Sequence, residues 1–146
     1  MRSSGALWRC KKCGRPFANR NQTHSCGRFT VTDFLDGKSP NAIDLYLRFA
    51  AAIERLGDVI TAPAKTRVGF QVRMIFASVN RLNDDGLVAH VVLARRLENP
   101  RFTKIESISP RNHVHHFLIR DASEIDAEVD AWLREAHAVG KQQHLR

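Results

Sequence analysis

Three observations in this sequence predict an α+β fold. Two stretches with apolar residues at helical spacing stand at either end of its main part, one after Ser39 and one after Asp121. Between them the apolar positions recur every second residue, the mark of strands with one buried face. The connections between those strands are short, which favours antiparallel pairing. The expected order is α-β-β-β-β-β-α, a mostly antiparallel sheet flanked by two helices, with a small and different module ahead of it.

The first helix is capped by Ser39, and Pro40 sits at its first position, where its missing N–H costs nothing. Ile43, Tyr46, Leu47, Ala50 and Ile53 form its apolar stripe, broadened by Leu45, Phe49, Ala52 and Leu56, and Gly57 ends it. Val59 to Ala62 reads as a short strand stopped by Pro63. From Thr66 the alternation puts Val68, Phe70, Val72, Met74 and Phe76 on one face, with Arg67, Gly69, Gln71 and Arg73 on the other. That run is long for one strand, so it holds either a bulge at Gly69 or two strands. Arg81 to Gly86 is a hairpin loop leading to a strand from Leu87 to Ala94; Ile105–Ile108 and Val114–Ile119 are two more. Asp121 and Glu124 form a capping box for the last helix, which buries Ile125, Val129, Trp132, Leu133 and Ala136 and stops at Gly140. Both helices are expected on one face of the sheet. The other face, partly polar and open, is where a ligand is to be sought.

The N-terminal segment is of another kind. Cys10-Lys-Lys-Cys13 is followed by His24-Ser-Cys26, which uses every cysteine in the chain. Cys10, Cys13, His24 and Cys26 make a Cys3His set, the tetrahedral donor set of structural Zn²⁺ in ribbons and knuckles. Four protein ligands leave no open position for water or substrate, so one structural zinc per chain is expected. Few large apolar residues surround the set, and metal binding has to supply the folding free energy of the module. The alternative, a disulfide with a spare thiol in an exported protein, fits an odd number of cysteines poorly, and no signal peptide is apparent. The expected organisation is a zinc-binding module over residues 1–28, a linker over 29–39 and the α+β domain over 40–146.

Composition narrows the function classes. Of 146 residues, 43% are apolar, enough for a core, yet no run is long enough to span a membrane. Cysteines committed to metal point to a reducing compartment, the cytoplasm. The formal net charge is +8. The excess is concentrated early: Arg2, Arg9, Lys11, Lys12, Arg15, Arg20, Arg28 and Lys38 stand against Asp33 and Asp36. Such density favours polyanions, nucleic acid first, although a basic surface also serves solubility alone.

A second constellation is Arg111-Asn-His-Val-His-His116. On a strand, His113 and His115 share a face with Phe117 and Ile119, whereas His116 points the other way. Paired imidazoles can act as acid and base, bind a metal or hold a phosphate, and His90 is the available third ligand. The plain alternative is that they are hydrogen-bonded to backbone and water. If strand order gathers them, Lys65, Arg67, Arg73, Arg111, His113 and His115 form an anion-binding floor.

The runs Lys65-Thr-Arg-Val-Gly-Phe-Gln71, Asn99-Pro-Arg101 and Ile108-Ser-Pro-Arg-Asn-His-Val-His-His-Phe117, with the closing helix, resemble a bacterial family. It is the domain-of-unknown-function family fifty-six fifty-five, in the subgroup with an N-terminal zinc module. The resemblance covers nearly the whole chain, including Cys10, Cys13, His24 and Cys26. It implies a small bacterial cytoplasmic protein with an α+β domain, and it implies no activity.

Three functions follow from the residues. The first is sequence-tolerant nucleic-acid binding (RNA or DNA) through Arg9, Lys11, Lys12, Arg15 and Arg20, with Trp8 or Phe17 available for stacking. The second is an adaptor whose module docks a protein partner. The third is a phosphodiester- or nucleotide-processing enzyme with His113 and His115 as acid and base. Charge distribution favours the first.

Overall fold

The computed structural model describes residues 7–11, 15–17 and 28–143. In the N-terminal part, β1 (Trp8–Arg9) pairs antiparallel with β2 (Pro16–Phe17). The Cys10 amide donates to the Arg15 carbonyl at 3.1 Å and continues the hairpin. Next comes α1 (Val31–Leu35), in the stretch read from sequence as linker. Thr30 and Asp33 cap it reciprocally, and its one buried residue, Phe34, sends its ring to within 5.9 Å of the Tyr46 ring. Apolar packing thus joins that segment to the main core.

Helix α2 (Pro40–Glu54) begins as its sequence requires, with the Ser39 hydroxyl accepting from the Ala42 amide. Gly57, at φ +77°, supplies the left-handed residue that lets the chain turn away. The sheet follows in six strands: β3 (Ile60–Pro63), β4 (Val68–Gln71), β5 (Ile75–Asn83), β6 (Gly86–Leu93), β7 (Phe102–Ser109) and β8 (Asn112–Ile119). The spatial order is β3-β4-β5-β6-β8-β7, with every neighbouring pair antiparallel.

The sheet has six strands, one more than the expected order, because the long alternating run is split at residues 72–74. Gly69 stays in register; the irregularity falls between Phe70 and Gln71. A second correction concerns the last helix. Asp121 and Glu124 do form a capping box, but it caps a short 3-10 turn, Ala122–Glu124. Helix α3 (Ala127–Gly140) has its own N-cap, the Asp126 carboxylate on the Val129 amide. Gly140 is not a left-handed stop; that conformation belongs to Gln142, at φ 61°. A Cβ at Gly140 would lie 2.7 Å from Cδ1 of Phe76, so glycine is there to admit the ring.

Both long helices cover the same face of the sheet, against β5 and β6. Val68, Phe70, Phe76, Val79, Leu82, Leu87, Ala89, Val91, Phe117 and Ile119 meet Phe49, Ile53, Trp132 and Leu133 there. Val72 and Met74 fall in the β4–β5 turn rather than in a strand, although Val72 still packs against the core. Two-residue periodicity leaves Gly69, Gln71, Ser78, His90, Val92, Val114, His116 and Leu118 for the outer face. Gly86, at φ 135°, closes the β5–β6 hairpin; a Cβ there would meet the Ile119 carbonyl at 2.5 Å. Among the described residues no helix is long and apolar enough to cross a membrane.

Candidate functional site on the outer face of the sheet

The outer face is organised by one transverse row. Cross-strand register aligns Ala62, Gly69, Ser78, His90, His116 and Lys104, one residue from each strand. Val88 with Leu118 lies on one side of that row and Val92 with Val114 on the other. The polar centre is the pair His90 and His116, whose rings stand 5.4 Å apart at 64°.

Each imidazole is held from behind. Asn80 Nδ2 donates to Nδ1 of His90 at 2.8 Å. Nε2 of His116 donates to the Glu106 carboxylate at 2.7 Å, and Lys104 Nζ lies 3.5 Å from the other oxygen of that carboxylate. Burial, with His116 and Arg67 adding positive potential, pushes the His90 imidazole down to about 4. The His116 hydrogen bond, reinforced by Lys104, holds Glu106 below the usual carboxylate range. Arg67, one residue ahead of β4, is near enough to add its positive charge to the field at His90.

At the β4 end of this face sits the N-terminal hairpin. Gln71 is 1% exposed although its side chain is polar. Its amide donates to the Pro16 carbonyl and accepts from Nε of Arg15 at 2.8 Å. Cys10 is buried beside that hairpin, which suits a metal ligand at the first position of a CxxC turn. Cys13, His24 and Cys26 lie outside the described residues, as do Lys12 and Arg20. Among the described residues no group of three or more His, Cys, Asp or Glu is disposed to hold a metal.

The six residues expected to form one anion floor are distributed rather than gathered. Lys65 and Arg67 lie at the β3–β4 turn, and both are exposed. The Arg73 guanidinium donates to Gln142 at 2.7 Å, beside the end of α3. Arg111 belongs to the exposed β7–β8 turn. His113 and His115 share a face, as expected, but it is the helix-covered one. Strand β8 also stands three strand spacings from β4, about 14 Å.

Both histidines there are saturated. His115 is fully buried; its Nδ1 donates to the His113 carbonyl at 2.9 Å and its Nε2 accepts from the Leu97 amide at 2.9 Å. That arrangement requires the neutral ring, and burial lowers its affinity for a proton accordingly. His113 is held between the Ser107 hydroxyl at 2.8 Å and the Pro110 carbonyl at 3.1 Å. Both nitrogens of each ring are thus engaged by protein groups. The histidine that meets His90 is His116. Parity along the strands assigns both to the outer face from sequence, but their contact needs β6 beside β8, which sequence order does not disclose.

A family model described as Domain of unknown function (DUF5655) matches residues 31–140. The chain belongs to that family. The DUF5655 match takes in α1, the six-stranded sheet and α3, and it leaves the cysteine-bearing segment outside. No curated protein and no solved structure matches the chain.

Proposed function

We propose that this DUF5655 protein binds nucleic acid in a sequence-tolerant manner, with a structural zinc organising its N-terminal module. The observation that carries the reading is the anchoring of the β1–β2 hairpin by Gln71. It holds the β1–β2 hairpin, with Arg9 and Arg15, at the β4 side of the outer sheet face. Arg9 and Lys11 are exposed at that hairpin, and Lys65 and Arg67 at the β3–β4 turn. Arginine and lysine in this density neutralise phosphates without reading bases, which gives affinity without sequence preference.

In this reading Cys10, Cys13, His24 and Cys26 hold the zinc, which closes the turns of the module and supplies no catalysis. The phosphate contacts are assigned to Arg9, Lys11, Lys12, Arg15 and Arg20, with Lys65 and Arg67 extending them. Binding to random-sequence RNA and DNA across a salt titration tests it. Affinity should fall steeply with salt, and charge reversal at Arg9, Lys11 and Lys12 should cost at least tenfold at low salt. Elemental analysis should find one zinc per chain, absent after Cys26→Ser. If neither nucleic acid binds at low salt, the reading fails and a protein-docking role for the module takes its place.

A further inference from the structure

We propose that His90 and His116 form a binding site for a divalent transition-metal ion on the outer face of the sheet, distinct from the cysteine-bearing module. The inference stands on the geometry of the pair and does not depend on nucleic-acid binding. Two imidazoles sharing one tetrahedral ion at about 2.1 Å each hold their ring centroids about 5 Å apart. The observed separation is 5.4 Å, with the rings tilted at 64° rather than stacked.

The backing of His116 is what a metal-ligating histidine requires, and that of His90 becomes so on rotation of one side-chain amide. A carboxylate on the far nitrogen fixes the tautomer and orients the ring. Glu106 does this for His116, leaving Nδ1 as the ligating atom. His90 is backed by the Asn80 side-chain amide at 2.8 Å. Half a turn of that amide presents its oxygen instead of its nitrogen, so that it accepts from Nδ1–H and leaves the Nε2 lone pair outward. Neither Nδ1 of His116 nor Nε2 of His90 has a hydrogen-bond partner among the described residues. Imidazole pairs of this kind suit Ni²⁺, Cu²⁺ or Zn²⁺ rather than Mg²⁺ or Ca²⁺. With two protein ligands, the remaining positions go to water or to an anion, which Arg67 and Lys104 nearby would favour.

Ni²⁺ titration of the zinc-loaded full-length protein tests this, read by calorimetry and by the Hε1 proton signals of the histidines. One Ni²⁺ per chain should bind, with the His90 and His116 signals affected before that of His113. His116→Gln should weaken binding at least a hundredfold, and Glu106→Ala, at the surface, ten- to a hundredfold. His113→Gln should leave it within about twofold. The proposal is overturned if Ni²⁺ uptake is unchanged by His116→Gln and Glu106→Ala, if it occurs only with release of the module's zinc, or if His113 responds first. The signal pattern in the unsubstituted protein decides the matter even if a variant fails to fold.

Discussion

The two faces of the β6–β8 strand pair treat histidine in opposite ways. On the helix-covered face His115 is fully buried against the Phe102 ring, 4.8 Å away, and protein groups satisfy both of its ring nitrogens. One residue further along, on the outer face, His116 is tied at one nitrogen and its ring stands 5.4 Å from that of His90. The same side chain is a structural hydrogen-bonding wedge in one place and an available ligand in the other. What separates them is the pleat of a single strand. A cluster of histidines in sequence is therefore no unit of function until its faces are sorted.

Substitutions on adjacent residues make that contrast measurable. Phe117→Ala on the covered face should cost about 3–5 kcal/mol, while Leu118→Ala on the outer face should cost clearly less, both by urea unfolding. The histidines should follow the same order. His115→Ala leaves the Leu97 amide without its acceptor and should cost about 2–3 kcal/mol, whereas His116→Ala should change stability by less than about 1. Equal costs for the two histidines would break the comparison.

Proton linkage offers a third test. The folded protein holds His90 and His115 below the unfolded value of about 6.5. The unfolded chain then takes up protons first as pH falls, so their contribution is complete above pH 6.5 and declines toward about 4 for His90. Stability should drop across that window by on the order of 2 kcal/mol. Arg67, His116 and Glu106 face His90, and only Glu106 favours its charged form. His90→Gln should flatten the slope. Glu106, Asp121 and Asp126 are lowered as well, by His116, Ser123 and the Val129 amide respectively, and their loss belongs to the acid side of that window. A more local effect is expected of Gln71→Ala. It should cost only about 1 kcal/mol globally, yet free the β1–β2 hairpin, seen as faster proteolysis near residues 8–17.

Much of this frame was legible in the chain. Ser39 and Pro40 open α2, Gly57 closes it, and the alternation of Val68 and Phe70 with Gly69 and Gln71 sorts the two sides of β4 correctly. The length of the run allowed two strands, but the place of the break at residues 72–74 was not legible, because Val72 and Met74 continue the alternation through the turn. Nor was strand order. The connection after Leu93 carries the chain past the place beside β6 to the edge, and β8 fills the gap. That one skip puts His116 against His90. The Gln71 anchor carried a faint signal, since a glutamine among Val68, Phe70 and Val72 has to satisfy its amide somewhere, but its partners are 55 and 56 residues away.

The Gly140 carbonyl accepts from both the Arg73 and Met74 amides, at 2.9 and 3.1 Å. On a ribosome this imposes a schedule. The turn between the second and third strands of the sheet emerges early, but its two inward amides have no protein acceptor until the end of the final helix has been made and has docked. The sheet can pair provisionally before then; its β4–β5 corner is completed only by a contact of high sequence separation, a late and slow event in folding. A nascent chain stalled short of that glycine would expose the underside of Phe76 and the unfinished corner together, a surface that a chaperone would recognise.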